Sequence, residues 1–260
     1  MTEELTYQDY QKRQLNEVSY GGLLHRAQSL KPGNKFRQIG SGWEPLKYEG
    51  YAILSMVNDH PQNSILAARL AEIQIELAKG SNTQEDLYFL PQESFHQTIA
   101  NLLSEERFKE NVLNRGNDSG FPGIISGAFE YIGDKHYTNN IDMHIAGLGI
   151  FGSAIGALGV FNDPLNFGRI LDFRQGIYTN EVLNQHGIHR TRPFIGHITL
   201  AYVESNLSNK SKENLIETCY RINQSIATED LNFYIKETSL RSYQDLSHFN
   251  LSPDYPTIKI

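Results

Sequence analysis

Phe95-His96-Gln97-Thr98-Ile99-Ala100 and Gly196-His197-Ile198-Thr199-Leu200-Ala201-Tyr202 are the two stretches on which the fold turns. On a strand, residues i and i+2 project to one face. His96 therefore emerges beside Thr98, and His197 beside Thr199. Ile99, Ile198 and Leu200 take the opposite face, where they can enter a core beneath helices. Gln97 fits less well, because the same alternation turns its amide toward that core unless the strand lies near an edge. By parity, Phe95 and Tyr202 also read as packing residues.

Outward from each stretch, the chain repeats a pattern. Residues 51–57 form a short, largely apolar run stopped by Asn58, Asp59 and Pro61, which predicts a buried strand. Leu66, Leu70, Ile73 and Leu77 then recur at helical spacing, with Asn63 or Ser64 as cap and Gly80 as stop. Residues 87–90 and 94–100 read as extended, followed by helix over 104–113 and a loop over 114–123. In the second half, residues 141–160 read as a glycine-rich hairpin, and Asn162-Asp163-Pro164 opens a helix reaching toward Gly187. Residues 192–203 are extended, Leu215, Cys219, Ile222 and Ile226 mark another helix, and Leu231, Phe233 and Ile235 alternate as a half-buried strand. Strand, helix, His-x-Thr strand, helix thus occurs twice, a possible internal duplication. Residues 145–161 are uncharged and apolar, but five glycines make a poor membrane helix, and a buried hairpin is the better reading.

The tripeptide alone is weak evidence. His136-Tyr137-Thr138-Asn139 and His189-Arg190-Thr191-Arg192 match it too, yet they lie in polar, turn-like surroundings without an apolar fourth residue. Only the first-quoted pair opens strands in matching contexts. His186 and His189 suggest a metal, but Gly187 between them ends the helix and no acidic third ligand is well placed. No cofactor is expected. Arg190 and Arg192 precede the second motif and can clamp a phosphate bidentately, although a solvated basic loop is the blander alternative. Tyr202 can stack a base, although its parity, opposite to that of His197, favours a place under a helix.

The whole chain narrows the classes further. In 260 residues, 23 Lys and Arg stand against 30 Asp and Glu, a formal charge of −7. Sequence-independent affinity for nucleic acid needs a basic surface, so long nucleic acid is not an expected partner, while a small nucleotide or an RNA-end phosphate is. The single cysteine, Cys219, excludes an internal disulfide. Residues 1–7 are acidic and polar, unlike a signal peptide, and the expected location is cytoplasmic, with no membrane contact.

The paired motifs resemble those of the two-histidine (2H) phosphoesterase superfamily, which includes 2′-5′ RNA ligase-like proteins and cyclic-nucleotide phosphodiesterases. With Ala157-Leu158-Gly159-Val160, and loosely Tyr7, Tyr10 and Lys35-Phe36, they are similar to an uncharacterised branch common in cyanobacteria. The resemblance covers residues 51–243. It implies an α+β, bilobal fold: two pseudo-symmetric lobes of mainly antiparallel sheet, helices outside, and a central cleft. The expected organisation is an N-terminal extension over residues 1–49 packed on a domain over 50–260, with lobes over about 50–135 and 136–260. His96 and His197 are then an acid–base pair, with Thr98 and Thr199 as phosphate binders and Arg192, Arg190 and Tyr202 as substrate contacts. Phosphodiester cleavage needs a base and an acid, and two imidazoles of ordinary pKa can divide those tasks without a metal. The implied activity is hydrolysis of a 2′,3′-cyclic phosphate or a 2′-5′-linked nucleotide. RNA 2′-5′ ligation and a non-catalytic nucleotide- or RNA-binding module with the same cleft remain the alternatives.

Overall fold

The computed structural model describes residues 3–40, 42–81, 83, 85–134, 137 and 139–260. His136 and Thr138, and with them the first of the two extra His-x-Thr matches, lie outside the described residues. Two helices open the chain, α1 (Tyr7–Val18) and α2 (Tyr20–Gln28), followed by the two-stranded pair β1 (Phe36–Ile39) and β2 (Gly42–Pro45). The side chain of Thr6 caps α1 by accepting the N–H of Asp9, and Ser19 does the same for α2 through Gly22.

The strand expected near residue 51 is β3 (Gly50–Met56), buried along its whole length as a central strand should be. Helix α3 (Ser64–Ser81) follows and buries Leu66, Leu70, Ile73 and Leu77, the predicted stripe. Then come β4 (Leu87–Phe89), the first motif strand β5 (His96–Ser104), α4 (Glu105–Asn111) and α5 (Phe121–Ile132). The last of these begins inside the expected loop over 114–123. Its two internal glycines, Gly123 and Gly127, obscure it in sequence, while Phe121, Ile125, Ala128 and Phe129 bury one face.

The glycine-rich segment is a hairpin, β6 (Ile141–Phe151) and β7 (Ala154–Phe161), turning at Gly152-Ser153 with Gly152 at φ +61°. No helix among the described residues is long and apolar enough to cross a membrane. The next helix is shorter than expected. Asp163 caps α6 (Pro164–Tyr178), the chain breaks at Thr179, and Asn180 caps a separate α7 (Glu181–Gln185). The second motif strand β8 (His197–Val203), α8 (Asn209–Ile226), β9 (Asn232–Ile235), β10 (Glu237–Tyr243), β11 (Phe249–Asn250) and β12 (Thr257–Lys259) complete the chain.

This is an α+β fold in which every strand pairing is antiparallel. The main sheet, ten strands among the described residues, runs β11-β10-β3-β5-β8-β7-β6-β9, with β12 beside β10 and β4 beside β8. The sheet runs continuously across the two halves expected as lobes. β10, from the end of the chain, returns to pair with β3 in the first half, and one hydrophobic core joins Phe95 and Ile99 to Ile198, Leu200 and Leu215. β5 and β8 meet through one bridge, Gln97 opposite Ile198. α1 and α2 pack on the β6–β7 hairpin, and α2 also on α8. The hydroxyl of Tyr10 donates to the Gly159 carbonyl at 2.6 Å, and the Gln14 amide donates to the carbonyls of Gly159 and Gly196 at 2.8 and 2.7 Å.

Candidate active site

The site forms where β5 and β8 touch. Counted outward from the Gln97–Ile198 bridge in the antiparallel sense, His96 falls opposite Thr199 and Thr98 opposite His197. All four side chains line one cleft of about 370 Å³, together with Lys35, Tyr48, Asn101, Phe151, Arg192, Tyr202, Tyr243 and Phe249.

The two histidines are set in the same way. His96 Nδ1 is 2.7 Å from the carbonyl oxygen of Ser94, and His197 Nδ1 is 2.9 Å from that of Ile195, each two residues back along the chain. A carbonyl oxygen can only accept, so in both rings Nδ1 carries the hydrogen. In the neutral ring, Nε2 is then left as the acceptor. Each ring also rests against a phenylalanine, Phe249 for His96 with centroids 4.3 Å apart and Phe151 for His197 at 4.9 Å.

Electrostatics depart from the simple expectation of ordinary imidazoles. Burial pushes His96 down to about 4, and the Arg241 guanidinium adds to this against the opposing pull of the Ser94 carbonyl. Burial likewise pushes His197 down to about 4, with the Ile195 carbonyl opposing and Arg192, His96 and Arg13 reinforcing. Each histidine is thus neutral at pH 7 in the protein alone. Lys35 projects over the Tyr48 ring at 4.1 Å and pairs with Glu105 at 2.9 Å. Its loop is held by the buried Glu204 carboxylate, which accepts the backbone N–H of Lys35 at 3.1 Å.

Both motif strands carry a β-bulge just past the threonine. In β5, Thr98 faces Leu54 and Ala100 faces Ile53, leaving Ile99 extra; in β8, Thr199 faces Gly156 and Ala201 faces Ile155, leaving Leu200 extra. One extra residue reverses the alternation. The position five after each histidine, Asn101 or Tyr202, is thereby returned to the cleft, which corrects the parity reading of Tyr202 as a core residue. Its ring centroid lies 5.6 Å from that of Phe36, and burial raises its pKa to about 12.

The two arginines part company. Arg192 lines the cleft and donates from Nη2 to the Asn101 side chain at 3.3 Å. Arg190 is not among the cleft residues; it donates to Gln175 at 2.8 Å and lies 3.6 Å from Glu4. His189 is exposed in irregular backbone outside the cleft. Among the described residues, no group of three or more His, Cys, Asp or Glu side chains is arranged to hold a metal ion.

Gln97 is the residue that sequence parity undervalued. Fully buried, it accepts the backbone N–H of His197 on Oε1 at 2.6 Å and donates from Nε2 to the Thr98 and Ile195 carbonyls at 2.8 and 3.2 Å. The poor fit of an amide at that position was itself the signal, since a buried amide demands partners. Asn101 had a signal too, standing at the same offset from His96 as Tyr202 from His197. Phe151, Phe249, Lys35 and Tyr48 reach the cleft from segments with no motif.

No family model matches the chain, and no curated protein matches it either. Among solved structures, it is similar to the conserved protein of unknown function ATU0111 from Agrobacterium tumefaciens. That comparison has a TM-score of 0.55 and 13% identity over 92% of this chain and 97% of the other. It also matches TT0787 of Thermus thermophilus with a TM-score of 0.40 and 13% identity, over 82% of this chain and 96% of the other. The first likeness supports the fold; at this identity it says nothing of activity.

Proposed function

We propose that the protein is a 2H-type phosphodiesterase that hydrolyses a 2′,3′-cyclic phosphate or a 2′-5′-linked nucleotide with His96 and His197 as its acid–base pair. The observation that carries this reading is the pairing of two imidazoles with the same Nδ1-to-carbonyl bond, each with a threonine beside it, around one strand junction. Antiparallel strands set diagonal residues on one face roughly 7–8 Å apart. With both imidazoles lining one cleft, a phosphate group between them would meet both rings. One Nε2 takes the proton of the attacking water while the other imidazole, protonated, gives its proton to the leaving oxygen.

The low pKa values are compatible with this division of labour. A phosphodiester is an anion, and its arrival opposes the effects of burial and of Arg192 and Arg241, so the acid acquires its proton with the substrate. Thr98 and Thr199 donate to the non-bridging oxygens, and Arg192, which lines the cleft and bonds Asn101, supplies a guanidinium. The net charge of −7 favours a small nucleotide or an RNA end over a long strand.

The test is a panel of 2′,3′-cyclic and 2′-5′-linked substrates with wild type, His96→Ala and His197→Ala, run with a chelator present. Turnover that survives chelation and falls about 10²- to 10⁴-fold in each variant is expected. Activity indifferent to both substitutions would remove the acid–base pair. Binding without turnover across the panel would leave a nucleotide-binding module, and net joining of RNA ends would point to a ligase.

A further inference from the structure

A buried cation ties both motif strands to the N-terminal segment. Arg174 on α6 is 2% exposed and lies outside the cleft. Its Nη1 donates to the Ile99 carbonyl at 2.6 Å, its Nη2 to the Arg192 carbonyl at 3.0 Å, and its Nε to Glu4 Oε1 at 2.8 Å. The other oxygen of Glu4 accepts the backbone N–H of Phe194 at 2.6 Å. Ile99 is the bulge residue of the first motif strand. Arg192 and Phe194 belong to the segment that leads into the second. A guanidinium is retained in such surroundings only when its charge is paired and its N–H groups are used.

We propose that Glu4 is a positioning residue for the cleft, acting through Arg174 and the Phe194 amide to hold Arg192 where it can bind a phosphate. Arg174 holds the Arg192 backbone on one side and, on the other, the Ile99 carbonyl two residues before Asn101. The contact between Arg192 Nη2 and the Asn101 side chain spans the gap that this one guanidinium sets. Without the carboxylate, the buried cation loses its counter-charge and the Phe194 N–H its acceptor. Phe194 then loses one anchor, and the backbone of Arg192, two residues before it, is held less firmly against β5. The N-terminal segment thus forms part of the phosphate-binding apparatus while touching no substrate. The kinetic meaning of this arrangement rests on the phosphodiesterase reading above, but its physical core does not.

The test uses full-length wild type, Glu4→Gln, Arg192→Ala and the double variant. Two readouts are taken: affinity for inorganic phosphate by NMR titration, and hydrogen exchange at the Phe194 amide. Glu4→Gln is expected to weaken phosphate binding about tenfold and to speed Phe194 exchange at least tenfold. The double variant is expected to bind phosphate no more weakly than Arg192→Ala alone, because both changes remove one interaction. Unchanged Phe194 exchange would overturn the proposal, as would faster exchange with phosphate affinity intact, or fully additive losses in the double variant. If Glu4→Gln fails to fold, Glu4→Asp, which keeps the charge on a shorter arm, carries the same comparison. Glu4-dependent phosphate binding in a protein that turns over no substrate of the panel would keep this inference and discard the phosphodiesterase; wild type that turns over a panel substrate yet binds no inorganic phosphate would overturn this inference alone.

Discussion

β5 and β8 present the same chemistry from different supports. Each begins with a histidine whose Nδ1 is fixed by the carbonyl two residues back and whose ring meets a phenylalanine. Each places a threonine two positions on and then bulges. Their surroundings diverge. His96 lies in the field of Arg241 and against Phe249, both from the last part of the chain. His197 lies in the field of Arg192 and Arg13, and its approach is held by Glu4, Gln14 and Gln97. The shared features are the ring-to-carbonyl bond, the phenylalanine contact, the neighbouring threonine and the bulge, whereas the differing ones are the nearby cations and the residues that anchor each strand. Chemical equivalence therefore does not require structural equivalence, and substitutions can pull the two apart.

The largest such effect is expected at the threonines. Thr98→Val and Thr199→Val keep shape and remove one hydroxyl each, and each should lower kcat about 10²-fold if both donate to charge developing on the phosphate. Steady-state rates on any substrate from the panel decide this. A loss confined to one variant would mean that a single strand binds the phosphate, and the equivalence would break.

A smaller effect concerns acid stability. An unfolded histidine protonates near 6.5, whereas His96 and His197 resist protonation down to about 4. The unfolded chain thus binds more protons between these values. The contribution of each neutral ring is complete above pH 6.5 and is lost as pH falls toward 4. At pH 5 the loss is about 2 kcal/mol for each histidine. His96→Asn and His197→Asn should each flatten the fall in unfolding free energy between pH 6.5 and 4.5 by a similar amount, measured by urea denaturation. Equal slopes in wild type and variants would show that burial does not hold the rings neutral.

The four motif side chains and most flanking elements were legible in the sequence because strands and helices announce themselves by period. What escaped has specific causes. A bulge adds a residue without any signature of its own, so Tyr202 was assigned to the wrong face and Asn101 passed unnoticed. Thr238, Ser239 and Arg241 are buried polar residues on β10, and no hydrophobic alternation marks that strand as a neighbour of β3. The joining of the two halves of the chain into one sheet depends on this long-range pairing and on one bridge at Gln97. Arg190 and Arg192 look alike in sequence, and only partners far away along the chain separate them: Gln175 and Glu4 for Arg190, the Asn101 side chain for Arg192.

Gln97 offers the subtlest way to separate the strands. It lies on β5, in the first motif, yet two of its three hydrogen bonds serve the second: the His197 backbone N–H and the Ile195 carbonyl that also receives His197 Nδ1–H. Gln97→Met keeps nearly the same volume and removes all three. The Ile195 carbonyl is then shared with nothing but the imidazole, while the backbone beneath that imidazole loses its tether. His197 should respond in its NMR pH titration, and His96, whose Nδ1 partner is Ser94, should not. Looser positioning of one member of an acid–base pair is expected to cost about tenfold in kcat, or 1.4 kcal/mol, with KM little changed. A parallel shift in both titrations would mean that Gln97 governs the junction as a whole. No shift in either would reduce it to a buried amide that satisfies the backbone.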